Sequence, residues 1–185
     1  MIDCGIDESG STKHLLVVSA LIGQTSLMKK MSRAWTVDLK RHNVDFFHSK
    51  EHWNRKAKPY HGISMIKRRT LLTCLVGHIH RYAEAGFFVC IDTKEFDQIV
   101  TNRFKTQWGS SYSFAIQLLF IIIHLNLRQR GHLHETVNIL IEDGHKNANQ
   151  AMEIIANGKK NKGRLHYHRN SWPWRETRKS ATSGS

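Results

Sequence analysis

A chain of 185 residues, 40% of them apolar and only two of them proline, is long enough for a sizeable core and too apolar to remain unfolded. Its 28 Lys and Arg outnumber 15 Asp and Glu, a formal charge of +13 that points to a polyanionic partner, nucleic acid before an anionic membrane surface. Cys4, Cys74 and Cys90 form no CxxC pair and leave an odd thiol, so reduced cysteines and a cytoplasmic location are expected. The polar DESGSTK close behind Met1 reads against a signal peptide. The apolar run 114–125, interrupted by Gln117 and His124, reads as too short to cross a bilayer, so no membrane partner is expected.

In chain order, the first stretch is IDCGIDESGSTKHLLVVSALIG, residues 2–23. An apolar run ending in Asp7 and Glu8, a Ser-Gly-Ser turn and a second apolar run predict a β-hairpin. Neighbouring strand residues point to opposite faces, so if Asp7 faces a cleft, Glu8 faces away from it. On these residues alone the pair reads equally as solvated turn carboxylates or as part of a site. Residues 26–42 predict a helix with Leu27, Met31, Trp35 and Leu39 inward and Ser26 as N-cap. Its Lys29, Lys30, Arg33, Lys40 and Arg41 read as a solvated face. Residues 44–47 predict a short strand leading into HSKEHW, where His48, Glu51 and His52 are either ligands or acid–base groups, or plain surface residues. Residues 55–61 form a basic loop carrying Arg55, Lys56 and Lys58.

A helix is expected over 64–84, with Ile66, Leu71, Leu75, Ile79 and Tyr82 inward, Lys67, Arg68, Arg69 and Arg81 outward, and Gly86 as its C-cap. Residues 87–91 predict a strand buried on both faces, followed by a short helix over 94–100. Residues 102–110, with Lys105 and Trp108, read as a basic loop able to touch a substrate. A strongly apolar helix over 112–129 follows, with His124 read as a core histidine. Residues 137–141 predict a buried strand that ends in Glu142, Asp143, Gly144 and His145, and 147–157 a helix with Ala148, Ala151, Ile154 and Ile155 inward.

A hairpin followed by alternating helices and strands points to an α/β layered domain, in which sites lie off the C-terminal ends of strands. Asp7 and Glu142 are two such strand ends. On neighbouring strands their carboxylates would offer the oxygen ligands that Mg²⁺ favours, in the manner of metal-dependent phosphodiester hydrolysis. The sequence has no P-loop, GxGxxG or GxSxG element.

IDESGS with its following strand, FFHSKE, YSFAIQLLF and EDGHKNANQA resemble, in order along residues 2–162, the uncharacterised "domain of unknown function 3800" family. That resemblance implies a ribonuclease H-like mixed sheet opening with a β-hairpin and flanked by helices. It also implies a metal-dependent nuclease or phosphodiesterase using Mg²⁺ or Mn²⁺ on nucleic acid. The carry-over falls on Asp7, Glu8, His48, Glu142, Asp143, His145 and Asn147, with Lys146 beside them for phosphate. The family's final segment, close to PLQAAD, has no counterpart here, so a C-terminal element with one more acid is expected to be missing. One domain over 1–162 and a basic, non-native or disordered tail over 163–185 follow from this reading. Dropping one nucleotide lets codons for ATSGS spell Pro-Leu-Gln-Ala, which reads as a frameshifted member. Weak or absent activity, a nucleic-acid-binding module without catalysis, and a truncated product without function are the alternatives.

Overall fold

The structure is a computed structural model. It describes residues 1–12, 14–54, 60–132, 134–141, 153 and 165–167. In chain order the elements are β1 (Ile2–Thr12), β2 (Leu15–Gln24), α1 (Thr25–Arg41), α2 (Ser49–Trp53), α3 (Met65–Tyr82) and β3 (Ala85–Asp92). Then come α4 (Thr93–Ile99), α5 (Asn102–Trp108), α6 (Ser111–Gln129), β4 (Val137–Ile141) and β5 (Leu165–Tyr167). The chain divides into two compact units. One takes Met1–Ile22 and everything described from Ala85 onward; the other is Gly23–Glu84.

The first unit is a five-stranded sheet in the order β3-β2-β1-β4-β5. β1 and β2 are neighbours joined by a two-residue connection, which only an antiparallel pair allows. β2 pairs antiparallel with β3, from Leu15↔Asp92 to Ile22↔Ala85. β4 runs parallel to β1, from Ile2↔Val137 to Ile6↔Ile141, and β5 runs parallel to β4. This is the mixed α/β architecture expected, a sheet opened by a hairpin and flanked by helices. Ser9, Gly10 and Ser11, expected as the turn, instead continue β1, so Asp7 and Glu8 lie within the strand and not at its end. β5 lies inside the segment read from sequence as tail, yet Leu165–Tyr167 pair in register with Val137, Asn138 and Ile139.

Alternation decides which strand residues are buried. Ile2, Cys4 and Ile6 of β1, Val18, Ala20 and Ile22 of β2, and Val137, Ile139 and Ile141 of β4 form one core with Tyr112, Ala115, Ile116, Leu119, Ile123 and Leu127 of α6. Those six recur at the three- and four-residue spacing of one helix face. Burying each large aliphatic contributes about 1.5–3 kcal/mol. α6 is long and apolar enough to cross a membrane, although the run 114–125 reads as too short, but the face from Tyr112 to Leu127 is sunk in this core. β3 is an edge strand, and its residues alternate where burial on both faces was expected: Val89 is buried and Phe88 is 71% exposed. The expected loop over 102–110 is instead α5, capped by the Thr101 hydroxyl accepting from Phe104 N and closed by Gly109 at φ +81°. A side chain on Gly109 would also stand 2.7 Å from Ser113 Cβ. His124, read as a core residue, is exposed on α6.

The second unit packs α1 and α3 around Leu39, Val44, Tyr60, Leu71 and Leu75, with Trp35, Phe47 and Ile63 against them. α1 begins after Gln24 without a side-chain cap, so Ser26 is not the N-cap. α3 is capped by Ser64 and ends at Ala83; Gly86 belongs to β3. The expected strand over 44–47 is irregular chain, its Phe46 carbonyl taken by the Tyr60 hydroxyl at 3.3 Å and not by a ladder. Ile66, expected inward, is 78% exposed, whereas Arg68, expected outward, is 1% exposed. The burial of Arg68 is explained by its bonds. Its guanidinium donates to the carbonyls of His52 (2.7 Å), Asn54 (3.3 Å), Tyr60 (2.5 Å) and Ile63 (3.1 Å). It also lies over the Tyr60 ring.

Candidate active site

The candidate site lies where the β1–β4 pairing stops, midway along β1 and at the end of β4. Their last described register pair is Ile6↔Ile141, and in sequence Asp7 follows the first and Glu142 the second. Asp7 is exposed, and its backbone carbonyl accepts from the Ser19 hydroxyl of β2 at 3.3 Å. Two turns of the pleat earlier on Asp7's face, Asp3 accepts from the Asn138 amide at 2.8 Å, a side-chain bond that ties β1 to β4.

Glu8 occupies the opposite, core-side face with Cys4 and Ile6. There it accepts a hydrogen bond from the buried Tyr112 hydroxyl at the start of α6. Burial first, and then the adjacent Glu8 carboxylate, push the Tyr112 phenol above its usual range. The Cys4 thiol is pushed up to about 12, by burial and then by Asp3, so it stays protonated and unreactive. Tyr112 was not singled out in the sequence. The available signal was its place one residue into an apolar helix, where a phenol can sit in the core only with a partner for its hydroxyl.

The other sequence candidates are distributed as follows. His48 precedes α2, and its Nδ1 stands 3.4 Å from Glu51 Oε1. Both are half-buried residues of the Gly23–Glu84 unit. His52 is fully buried there among Phe47, Trp53 and Tyr60. Desolvation, and then the Arg68 charge, lower its pKa, so the ring is held neutral. Lys105 of α5 is engaged by Asp97 at 2.7 Å, and Trp108 packs on Phe104 and Phe114. Arg55, Lys56 and Lys58, together with Glu142, Asp143, His145, Lys146 and Asn147, lie outside the described residues, as do the predicted helix over 147–157 and most of the segment 163–185. Among the described residues no group of three or more His, Cys, Asp or Glu is arranged to hold a metal ion. Among the described residues, Asp7 offers an exposed hard-oxygen donor just past the last β1–β4 register pair.

Neither a protein-family model nor a curated protein matches the sequence. Among solved structures the chain is similar to the ribonuclease H2 from Pyrococcus horikoshii OT3, at 12% identity and a TM-score of 0.40 over 92% of this chain. It is likewise similar to the ribonuclease HII of Archaeoglobus fulgidus, solved in complex with PCNA, at 11% identity and a TM-score of 0.40 over 94% of this chain. The chain spans 63% and 67% of the lengths of those two proteins.

Proposed function

We propose that this protein is a divalent-metal-dependent nuclease or phosphodiesterase of ribonuclease H type, related to the domain of unknown function 3800 family. The observation that carries the reading is the parallel β1–β4 register, in which Ile6 and Ile141 are level and each precedes a carboxylate. Asp7 and Glu142, with Asp143, would hold Mg²⁺ or Mn²⁺, hard cations that favour carboxylate oxygens. Such an ion supplies Lewis-acid stabilisation of the charge that develops on a phosphodiester. His145 serves as the general acid–base, its imidazole being able to give or take a proton near neutrality. Asn147 orients the substrate by hydrogen bonds.

Glu8 acts through position, not ligation, because its carboxylate is engaged by Tyr112 on the other face of β1. Arg55, Lys56, Lys58, Lys105 and Lys146 meet phosphates. The Lys105–Asp97 pair lies at the surface and is worth about 0–1 kcal/mol, so phosphate can displace the carboxylate. Cleavage of end-labelled RNA and DNA with Mg²⁺, Mn²⁺ or EDTA tests the reading. It predicts metal-dependent products that Asp7→Asn abolishes and Glu8→Gln only reduces. A binding module without catalysis predicts retention of the probe and no product with any divalent ion.

A further inference from the structure

β2 and β3 pair antiparallel up to Ile22↔Ala85, a junction that a two-residue turn can close. The chain instead leaves β2 after Gln24 and returns to the sheet at Ala85, and Gly23–Glu84 forms a compact unit with its own core. That segment carries thirteen Lys and Arg against four Asp and Glu, a net +9 of the chain's +13. The surplus is not spread evenly over it.

On α1, Lys29, Lys30, Arg33, Lys40 and Arg41 are all exposed, with Ser26 and Val37 between them. At 3.6 residues per turn these positions fall within an arc of about 120°. The one acid on α1, Asp38, is not among them: it is 5% exposed and held by Arg41 at 2.8 Å and by His78 of α3 at 2.7 Å. Arg41 is thereby partly neutralised. Among the described residues, Lys29, Lys30, Arg33 and Lys40 form no ion pair. A solvated helix face ordinarily mixes signs at four-residue spacing, so a stripe of a single sign repels itself unless something anionic lies along it.

The stripe runs about 17 Å from Lys29 to Lys40, a length over which one strand of duplex DNA presents about five phosphates. A membrane surface fits less well. A helix lying in a bilayer interface needs a free apolar face, and the apolar side of α1 (Met28, Met31, Leu39) is buried in the protein, leaving Val37 as a single exposed aliphatic.

We infer that the Gly23–Glu84 insertion is a nucleic-acid-holding module whose contact with the phosphate backbone is the α1 stripe Lys29, Lys30, Arg33 and Lys40. The inference rests on the nuclease reading for the identity of the partner and on none of its chemistry. The test is fluorescence anisotropy of a short fluorescein-labelled DNA duplex on the full chain in EDTA, between about 50 and 200 mM KCl. Wild type is compared with Lys29→Gln, Lys30→Gln, Arg33→Gln and Lys40→Gln combined. The control of equal charge combines Lys94→Gln, Arg103→Gln, Arg128→Gln and Arg130→Gln, all exposed in the sheet unit.

Removing four phosphate contacts should flatten the slope of log affinity against log salt by roughly 3.6, at about 0.9 per contact, while the control changes it by less than one. Equal slopes in the two variants, a stripe variant that binds like wild type, or a wild type that binds anionic vesicles but not the duplex would each overturn the assignment. Because EDTA removes catalysis, the two proposals fail separately. A chain that binds through the stripe but never cleaves supports this inference and sinks the nuclease. A chain that cleaves with Mn²⁺ while the stripe variant binds normally does the reverse.

Discussion

Replacing Arg68 by Met removes a buried guanidinium while nearly keeping its length, and two effects compete. Losing a buried charge relieves a desolvation cost, which favours the variant. Against that, the carbonyls of His52 and Tyr60, bonded to Arg68 at 2.7 and 2.5 Å in buried positions, are left without this donor, and those of Asn54 and Ile63 lose it in half-buried ones. An orphaned buried acceptor costs about 1–3 kcal/mol, so the two buried carbonyls alone outweigh the relief. With four hydrogen bonds from a charged donor lost, two of them buried, we take the net as about 3–5 kcal/mol. For a chain of this size that lowers Tm by roughly 6–20 °C. Arg68→Lys should recover only part of the loss, because an ammonium lacks the planar fork that reaches several carbonyls at once. Urea denaturation followed by far-UV circular dichroism, with thermal melts alongside, measures both variants. A loss below about 1 kcal/mol in Arg68→Met would mean that these bonds contribute no more than surface contacts.

Several other outcomes can be checked directly. Tyr112→Phe should cost about 0.5–1.5 kcal/mol in a urea melt through the lost hydrogen bond to Glu8. Because the folded Tyr112 phenol titrates above its unfolded value, its contribution is complete below about pH 10 and is lost as pH rises further, so the penalty should shrink in alkali. His52 has the opposite sign: its folded pKa is depressed, so its contribution is complete above about pH 6.5 and is lost as pH falls. The urea midpoint should therefore drop between neutral and mildly acidic pH, by less in His52→Gln. A thiol reagent at mildly alkaline pH should modify exposed Cys90 quickly and leave Cys4 untouched until the protein unfolds, since Cys4 is 1% exposed with its thiol pushed up to about 12. Peptide mapping of the modified protein reads this out.

The elements that periodicity and composition specify strongly were legible in the sequence: the β1–β2 hairpin, the apolar face of α6, and β4 with its following acids. Strand alternation likewise separates Asp7 from Glu8, and the Tyr112 contact gives that separation a chemical form. What could not be read was decided by tertiary partners. Arg68 sits among basic residues at what looks like an outward position, and only the carbonyls of the chain between α2 and α3 make its burial favourable. Phe88 looks like a core residue in an apolar run, but β3 is an edge strand with one open face. Residues 102–108 are polar enough to read as loop, yet the Thr101 cap and the packing of Phe104 on Phe96 and Phe114 make them a helix. The basic face of α1 was visible in the sequence; that its one acid is withdrawn into the interior was not.

If Asp7 and Glu142 act on one cation, Mn²⁺ affinity measures it whether or not the chain turns over substrate. Isothermal titration of Mn²⁺ into wild type, Asp7→Asn, Glu142→Gln and the double variant gives the coupling between the two carboxylates. Wild type should bind, each single variant should lose at least about tenfold in affinity, and the double variant should lose far less than the product of the two. Independent losses, or a Glu142→Gln variant that binds Mn²⁺ like wild type, would contradict a shared cation.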